Sequence, residues 1–292
     1  MAERLILSIG ANGRFAGLVV PELVKRGLRV RGLVHKSEKA EEARAKGAAE
    51  VAVGDLSDMA SLEKALQGVE GVFYLGPAFA ENEGQMGLNM IVAAKKAGVR
   101  RFVLSSVIHP SLDLEGHRAK IPVESALHDS GMEFVMLHPA VFFQNMEPAW
   151  PIIVERGMIA EPFSKKSRLS RVDYRDVAEV AAMGFTEKRL TNGTFELCAE
   201  DASREEIAQL IGEILGRKVE AGEPSFDEWA ARAQLPYNDH QKSALKKMFD
   251  AYDRRGLRGN SLILRAILGR EPRTLRQFFQ GLAVKSTRAA AG

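Results

Sequence analysis

A chain of 292 residues is long enough for one large domain or two lobes and can bury a substantial core without staples. One cysteine, Cys198, excludes an internal disulfide, and no Cys/His cluster has zinc spacing, so no metal is expected and a reducing cytoplasm fits. A net charge of +3 with mixed signs argues against nucleic acid, no apolar run approaches the ~20 residues of a membrane helix, and Met-Ala-Glu-Arg leads into a strand with no room for a signal peptide.

The apolar run Leu5–Ile9 ends at Gly10-Ala11-Asn12-Gly13-Arg14-Phe15-Ala16-Gly17, and a helical pattern (Leu18, Val19, Leu23, Val24) follows at once. The stretch reads as strand, tight turn and helix. Gly10 and Gly13 let the backbone turn sharply and approach a diphosphate, which then faces the N–H groups at the helix start. Ala16 stands where a third glycine would let helix and strand touch. Gly10, Asn12, Gly13, Arg14 and Phe15 are therefore candidate cofactor contacts, with an ordinary turn as the alternative reading.

A second strand, Arg29–Val34, ends at His35-Lys36-Ser37. A site for NAD wants an acid here, about 20 residues after the glycines, to hold the ribose 2′-hydroxyl. Lys36, Lys39 and Arg14 supply positive charge instead, which suits a 2′-phosphate and favours NADP(H) over NAD. The alternative is surface charge after a strand.

Helix 37–46, strand Glu50–Val53 and a helix start at Gly54-Asp55-Leu56-Ser57-Asp58 come next. Asp55 can accept from an adenine amino group while Leu56 packs on the ring, and Asp58 reads as a helix cap. Strand Gly71–Leu75 closes at Gly76-Pro77, where the chain should cross under the cofactor. Helix Gln85–Ala97 stops at Gly98, and strand Arg101–Leu104 ends in Ser105-Ser106. Strands alternating with helices at this rhythm predict a parallel sheet with ligands at the carboxyl ends of its strands.

After His109-Pro110 the stretch Gly116-His117-Arg118-Ala119-Lys120-Ile121-Pro122-Val123-Glu124 enters a helix ending at Ser130-Gly131. Strand Glu133–Leu137 follows, then His138-Pro139-Ala140-Val141-Phe142-Phe143-Gln144-Asn145. With Gly10-Ala-Asn-Gly13, Gly54-Asp55-Leu56, the run Ala97–Ser106, Lys120 with Glu124, the run Leu137–Asn145 and the run Arg171–Ala178, the chain resembles the NmrA-like family of atypical short-chain dehydrogenase/reductases. The likeness extends to Leu268–Thr274. The family usually carries arginine at His35, and Leu-Arg-Pro where Leu137-His138-Pro139 stands. The resemblance implies a nicotinamide cofactor and adds Ser105, Pro139 and Phe142 to its expected contacts.

Typical enzymes of the wider superfamily carry a Tyr-x-x-x-Lys pair on one helix face. Counting back four from Lys120 gives Gly116, so the tyrosine is absent. Lys120 is the expected ribose contact. His117, three before it and on that same face, is the candidate proton donor. A surface histidine and a solvated lysine are the bland alternatives.

From Trp150 the alternation loosens. Helix Glu147–Arg156, strand Met158–Pro162, a polar crossing over 164–170, a helix capped by Asp173–Asp176 and running to Phe185, strand Thr194–Leu197 and a capping box at Ser203 with Glu206 are predicted. Helices over 226–233, 239–255, 262–268 and 274–282 complete the chain, with Phe226, Trp229, Tyr237, Phe249 and Tyr252 as candidate lining of a substrate pocket or as core. Cys198 reads as a small buried side chain.

The expectation is α/β: a Rossmann-type parallel sheet with helices on both faces plus a smaller, mainly helical C-terminal substrate lobe. The dinucleotide-binding domain spans 1–150, with a helix near 173–186 returning to it; the substrate lobe spans 151–285 and a flexible tail 286–292. The expected function is reduction by NADPH of a small conjugated acceptor (quinone, enone or imine) in a cleft between the lobes, with a homodimer allowed. The alternatives are a redox sensor of the NmrA type that binds NAD(P) without turnover and a sugar-nucleotide epimerase, the latter weakened by the absent tyrosine.

Overall fold

The computed structural model describes residues 4–291, with side chains described up to Thr287. The chain divides into two compact units. The first comprises the residues up to Pro139 together with Tyr174–Glu196, and the second Ala140–Asp173 with the residues from Leu197 on. The division thus falls at Pro139, the end of a strand, rather than near residue 150.

The first unit is built from strands β1 (Leu5–Ile9), β2 (Arg29–Val34), β3 (Glu50–Val53), β4 (Gly71–Leu75), β5 (Arg101–Ser105) and β6 (Glu133–Pro139). Between them run helices α1 (Val19–Lys25), α2 (Ala40–Ala45), α3 (Met59–Ala65), α4 (Glu83–Lys96), α5 (Glu115–Arg118) and α6 (Ile121–His128). In the second unit β7 (Val141–Phe142), α7 (Trp150–Arg156), β8 (Met158–Ala160) and β9 (Leu169–Val172) follow. Helix α8 (Tyr174–Thr186) and strand β10 (Gly193–Leu197) come next, and the sheet order is β10-β6-β5-β4-β1-β2-β3. All pairings among β1 to β6 are parallel. This is the Rossmann-type sheet, with its change of direction between β1 and β4.

A parallel sheet is covered on both faces, and its strands are correspondingly apolar on both. Leu7, Ile9, Tyr74, Phe102, Leu104 and Met136 point into a core with Leu62, Met90, Ala94 and Leu127 from α3, α4 and α6. On the opposite face Val103 and Val135 meet Gly184 of α8, which also packs on α1. Arg101, itself buried, ties the sheet to that helix. It pairs with Glu133 at 2.7 Å and donates to the Gly184 carbonyl and Thr191 Oγ1 at 3.0 Å each.

The second unit continues with β11 (Glu200–Ala202), α9 (Arg204–Leu215), β12 (Glu220–Gly222), α10 (Phe226–Ala233), α11 (Asp239–Arg255), α12 (Leu262–Leu268) and α13 (Leu275–Ala291). It is less purely helical than expected, holding a three-stranded sheet β11-β9-β7 and a two-stranded sheet β12-β8. Side chains of Ser203, Ser225 and Asn238 close capping boxes at α9, α10 and α11. Phe226, Trp229, Phe249 and Tyr252 pack on one another, ring centroids 5.1 to 6.4 Å apart. Cys198 is buried with a free thiol.

The flexible tail over 286–292 is corrected: α13 runs to Ala291, and Gly292 lies outside the described residues. Two hydrogen bonds hold the helix at Ser286. Ser286 Oγ bonds back to the Leu282 carbonyl at 3.1 Å and accepts from Trp150 Nε1 at 2.9 Å. Among the described residues no helix is long and apolar enough to cross a membrane.

Candidate functional site

The carboxyl ends of β1 to β6 lie along one edge of the parallel sheet, and the predicted residues of the first unit gather there because each follows its own strand. Gly10, just past β1, takes φ +67°, which a side chain would strain. Its N–H donates to the Leu33 carbonyl of β2 at 3.1 Å, and the Gly13 N–H closes the turn onto the Gly10 carbonyl at 2.7 Å. A Cβ on Gly13 would stand 3.0 Å from that carbonyl oxygen, so the turn is shaped for a residue without one.

The third close approach belongs to Gly17 rather than Ala16. A Cβ on Gly17 would sit 2.9 Å from the Ala11 carbonyl oxygen and closer still to the Lys46 ammonium, whereas Ala16 has room for its methyl. Gly32 of β2 does similar work from below: a Cβ there would meet the Ala11 side chain at 2.8 Å. Lys46 donates to the Gly13 carbonyl at 2.9 Å, and burial lowers its pKa. Sequence reading missed this lysine, which lies 33 residues from its partner and in no pattern.

Asn12 Nδ2 reaches Glu42 at 3.4 Å, and the exposed Arg14 lies 5.4 Å from the centroid of the Phe15 ring. His35 and Lys36 are exposed past the end of β2, while Lys39 is paired with Glu42 at 2.7 Å. After β3, Asp55 Oδ1 accepts from the Ser57 N–H at 2.7 Å, which orients its carboxylate. Asp58 Oδ1 caps α3 through the Ala60 N–H. Leu56 packs on the core, and its carbonyl accepts from Asn89 at 3.0 Å.

Gly76 and Pro77 follow β4. A Cβ on Gly76 would lie 3.4 Å from both Glu83 Oε1 and the Tyr74 hydroxyl, so Gly76 opens beside two buried polar groups. Ser105 at the end of β5 is fully buried, 3.3 Å from the hydroxyl of buried Tyr174, whose ring lies 5.4 Å from that of Phe15. Pro139 ends β6 and is buried. Phe142, in β7, belongs to the second unit.

His117 and Lys120 stand on either side of a break between two helical segments, and the Lys120 N–H donates to the His117 carbonyl at 3.0 Å. Helix α5 ends at Arg118, and α6 opens at Ile121 with Pro122 in its first turn. Proline has no N–H to donate and its ring crowds the carbonyl four residues back, which interrupts the hydrogen bonding between the two segments. His117 is buried, and its Nδ1 donates to the His109 carbonyl at 3.0 Å. Lys120 forms a buried ion pair with Glu83 at the start of α4. Burial pushes the lysine down to about 8, against the opposing charge of Glu124.

One turn beyond Lys120, Glu124 gathers Ser106 Oγ, which donates to it, and His138 Nε2 at 3.0 Å. Burial works to raise this carboxyl, but those hydrogen bonds and the nearby histidine charges outweigh it and hold it below the usual carboxylate range. Lys120 faces Glu83, and Glu124 faces His138.

The chain matches the NmrA-like family over residues 2–278. It is 32% identical to an NAD(P)H azoreductase of Xenophilus azovorans over 218 residues, 74% of this chain and 75% of that one. It is 28% identical to quinone oxidoreductase 2 of Escherichia coli K12 over 72% of this chain and 73% of that one. The fold superimposes on that of NmrA, a negative transcriptional regulator solved in complex with NADP, with a TM-score of 0.77, covering 99% of this chain and 98% of that one at 17% identity.

Proposed function

The chain belongs to the NmrA-like family, and from that membership we propose that it is an NADPH-dependent reductase that passes hydride to a small planar acceptor of the quinone, enone, imine or azo class. The observation that carries the reading is the likeness to the NAD(P)H azoreductase over three quarters of both chains. The turn at Gly10 and Gly13, shaped for residues without a Cβ, fits a diphosphate.

NADPH, when bound, supplies the hydride; the protein binds, orients and keeps water out. In this reading the amides from Gly10 to Phe15 hold the diphosphate. Arg14 and Lys36, with His35 beside them, hold the 2′-phosphate, and Asp55 with Leu56 holds the adenine. Gly76 and Pro77 give the close approach after β4, Lys120 grips the nicotinamide ribose, and Ser105 and Pro139 back the nicotinamide end. Lys120, with a pKa brought towards neutrality, can also release a proton to the reduced acceptor. His117, whose Nδ1 proton is committed to a backbone carbonyl, would donate from Nε2 only as imidazolium. A reducing cytoplasm, where NADPH is regenerated, suits this activity.

Gly116, standing where a Tyr-x-x-x-Lys pair would have its tyrosine, favours a second reading: a sensor that binds NADP(H) and turns nothing over. NADPH oxidation with a panel of benzoquinones and azo dyes separates the two. Turnover with any acceptor supports the reductase, binding without turnover assigns the sensor, and absence of NADPH binding overturns both.

A further inference from the structure

Arg171 at β9 and Arg204 at the start of α9 are the two largest fully buried side chains, each 1% exposed. They share one carboxylate oxygen, Glu161 Oε2, at 3.4 and 3.3 Å. Arg204 lies over the Phe163 ring, 4.4 Å from its centroid, and its Nη1 donates to the carbonyls of Phe163 and Gly222 at 2.9 and 2.8 Å. Its Nη2, and both Nε and Nη1 of Arg171, have no hydrogen-bond partner among the described residues.

Two buried guanidiniums share one carboxylate oxygen, and the further carboxylate that acts on Arg204, Glu223, is exposed, so positive charge is left uncompensated inside. A guanidinium cannot escape by losing its proton, and a buried charge without a partner is strongly destabilising. Burial drives the Arg204 pKa down, Glu161 and more weakly Glu223 draw it back, and the charge of Arg171 adds to the fall. Phe163, which lies under Arg204, packs with Phe249 and Tyr252 at ring centroids 5.5 to 6.3 Å apart, so the surroundings of Arg204 are of low dielectric on that side. Glu161, at 21% side-chain exposure, is the most exposed of the three charged groups.

We propose that Arg171 and Arg204 form an oxyanion site in the second unit, taking one carboxylate, sulfonate, sulfate or phosphate group beside Glu161 on the three unpartnered guanidinium nitrogens. With that group in place the excess positive charge is compensated and the remaining donors are used. Guanidinium suits the task because its rigid, planar array of donors matches the oxygens of such groups. The oxyanion is either a free inorganic ion or the anionic substituent of an organic acceptor.

The test titrates the full-length protein with sodium sulfate, ionic strength held constant with sodium chloride, and follows the thermal unfolding midpoint. Wild type, Glu161→Gln and Arg171→Met are compared. In the wild type the midpoint should rise and saturate. Removing the competing carboxylate should lower the half-saturating sulfate concentration on the order of tenfold in Glu161→Gln, the effect of one like charge a few ångströms away. Arg171→Met should lose the saturating rise; if it fails to fold, Glu161→Gln alone carries the test. A linear, non-saturating rise of equal slope in wild type and Glu161→Gln, as general exclusion of sulfate from protein surfaces gives, overturns the proposal. Benzenesulfonate distinguishes the sources: competition with sulfate assigns the site to an acceptor's substituent, and an unmoved sulfate curve assigns it to the inorganic ion. No NADPH is consumed in these measurements, so failure of the reductase reading leaves them interpretable.

Discussion

Lys120 and Glu83 form a buried ion pair although 37 residues separate them in the chain. Glu83 is fixed in turn by the Phe79 N–H, which donates to its other oxygen at 3.2 Å. Burial brings Lys120 down to about 8, so the ammonium is present at neutral pH and lost above it. NADPH oxidation should therefore fall as the pH rises through about 8. Glu83→Gln removes an anion that favours the charged lysine, so the alkaline limb should move to lower pH by about one pH unit. An unmoved limb in the pH–rate profile would remove Lys120 from the assigned role.

The glycine turn makes a second, sharper demand. Gly13→Val places a side chain where a Cβ already crowds the Gly10 carbonyl at 3.0 Å, and Gly32→Val pushes against Ala11 from beneath. Overpacking of this kind should weaken NADPH binding by at least about tenfold in either variant. Calorimetric titration measures the affinity, and circular dichroism shows whether the fold survives. Unchanged affinity in folded Gly13→Val would mean that the diphosphate binds elsewhere.

Selectivity between the two nicotinamide cofactors should rest on exposed cations. Lys36→Ala and Arg14→Ala are each expected to weaken NADPH binding by about tenfold while leaving NADH binding unchanged, since a charge-assisted contact to the 2′-phosphate is lost. Equal losses for both cofactors would place these side chains on the diphosphate instead.

Glu124 gives a prediction about stability. Its folded pKa lies below the ordinary 4.5, so its contribution is present above that value and is lost as the pH falls through the folded pKa. Glu124→Gln should cost about 1–3 kcal/mol at neutral pH by disturbing the hydrogen bonds from Ser106 and His138. The variant should also lose less stability than the wild type on acidification below pH 4.5. Urea unfolding at several pH values reads both effects.

The sheet was legible because each strand from β1 to β6 is a short apolar run closed by turn residues, and Gly10, Gly13, Asp55 and Gly76 could be placed at the strand ends from that rhythm. Local spacing said least at His117 and Lys120, where Pro122 separates two helical segments. Lys46, Glu83 and the Arg171–Arg204 pair were illegible for a different reason: each acquires meaning from a partner distant in the chain, and lysine, glutamate and arginine are unremarkable in sequence. Tyr174 shows an intermediate case, since its place in a helix start was readable but its hydroxyl beside Ser105 was not.

Helix α8 covers β5 and β6, and it is synthesised some 35 residues after β6 ends at Pro139, as the numbering from 139 to 174 gives. A nascent chain leaving the ribosome must therefore carry one bare flank of its largest hydrophobic layer while the first stretch of the second unit is made. Truncation after β6 would leave that flank permanently uncovered, so expressing the residues up to Pro139 alone should yield aggregates, and a deletion that splices out 140–173 offers the better route to an isolated fragment.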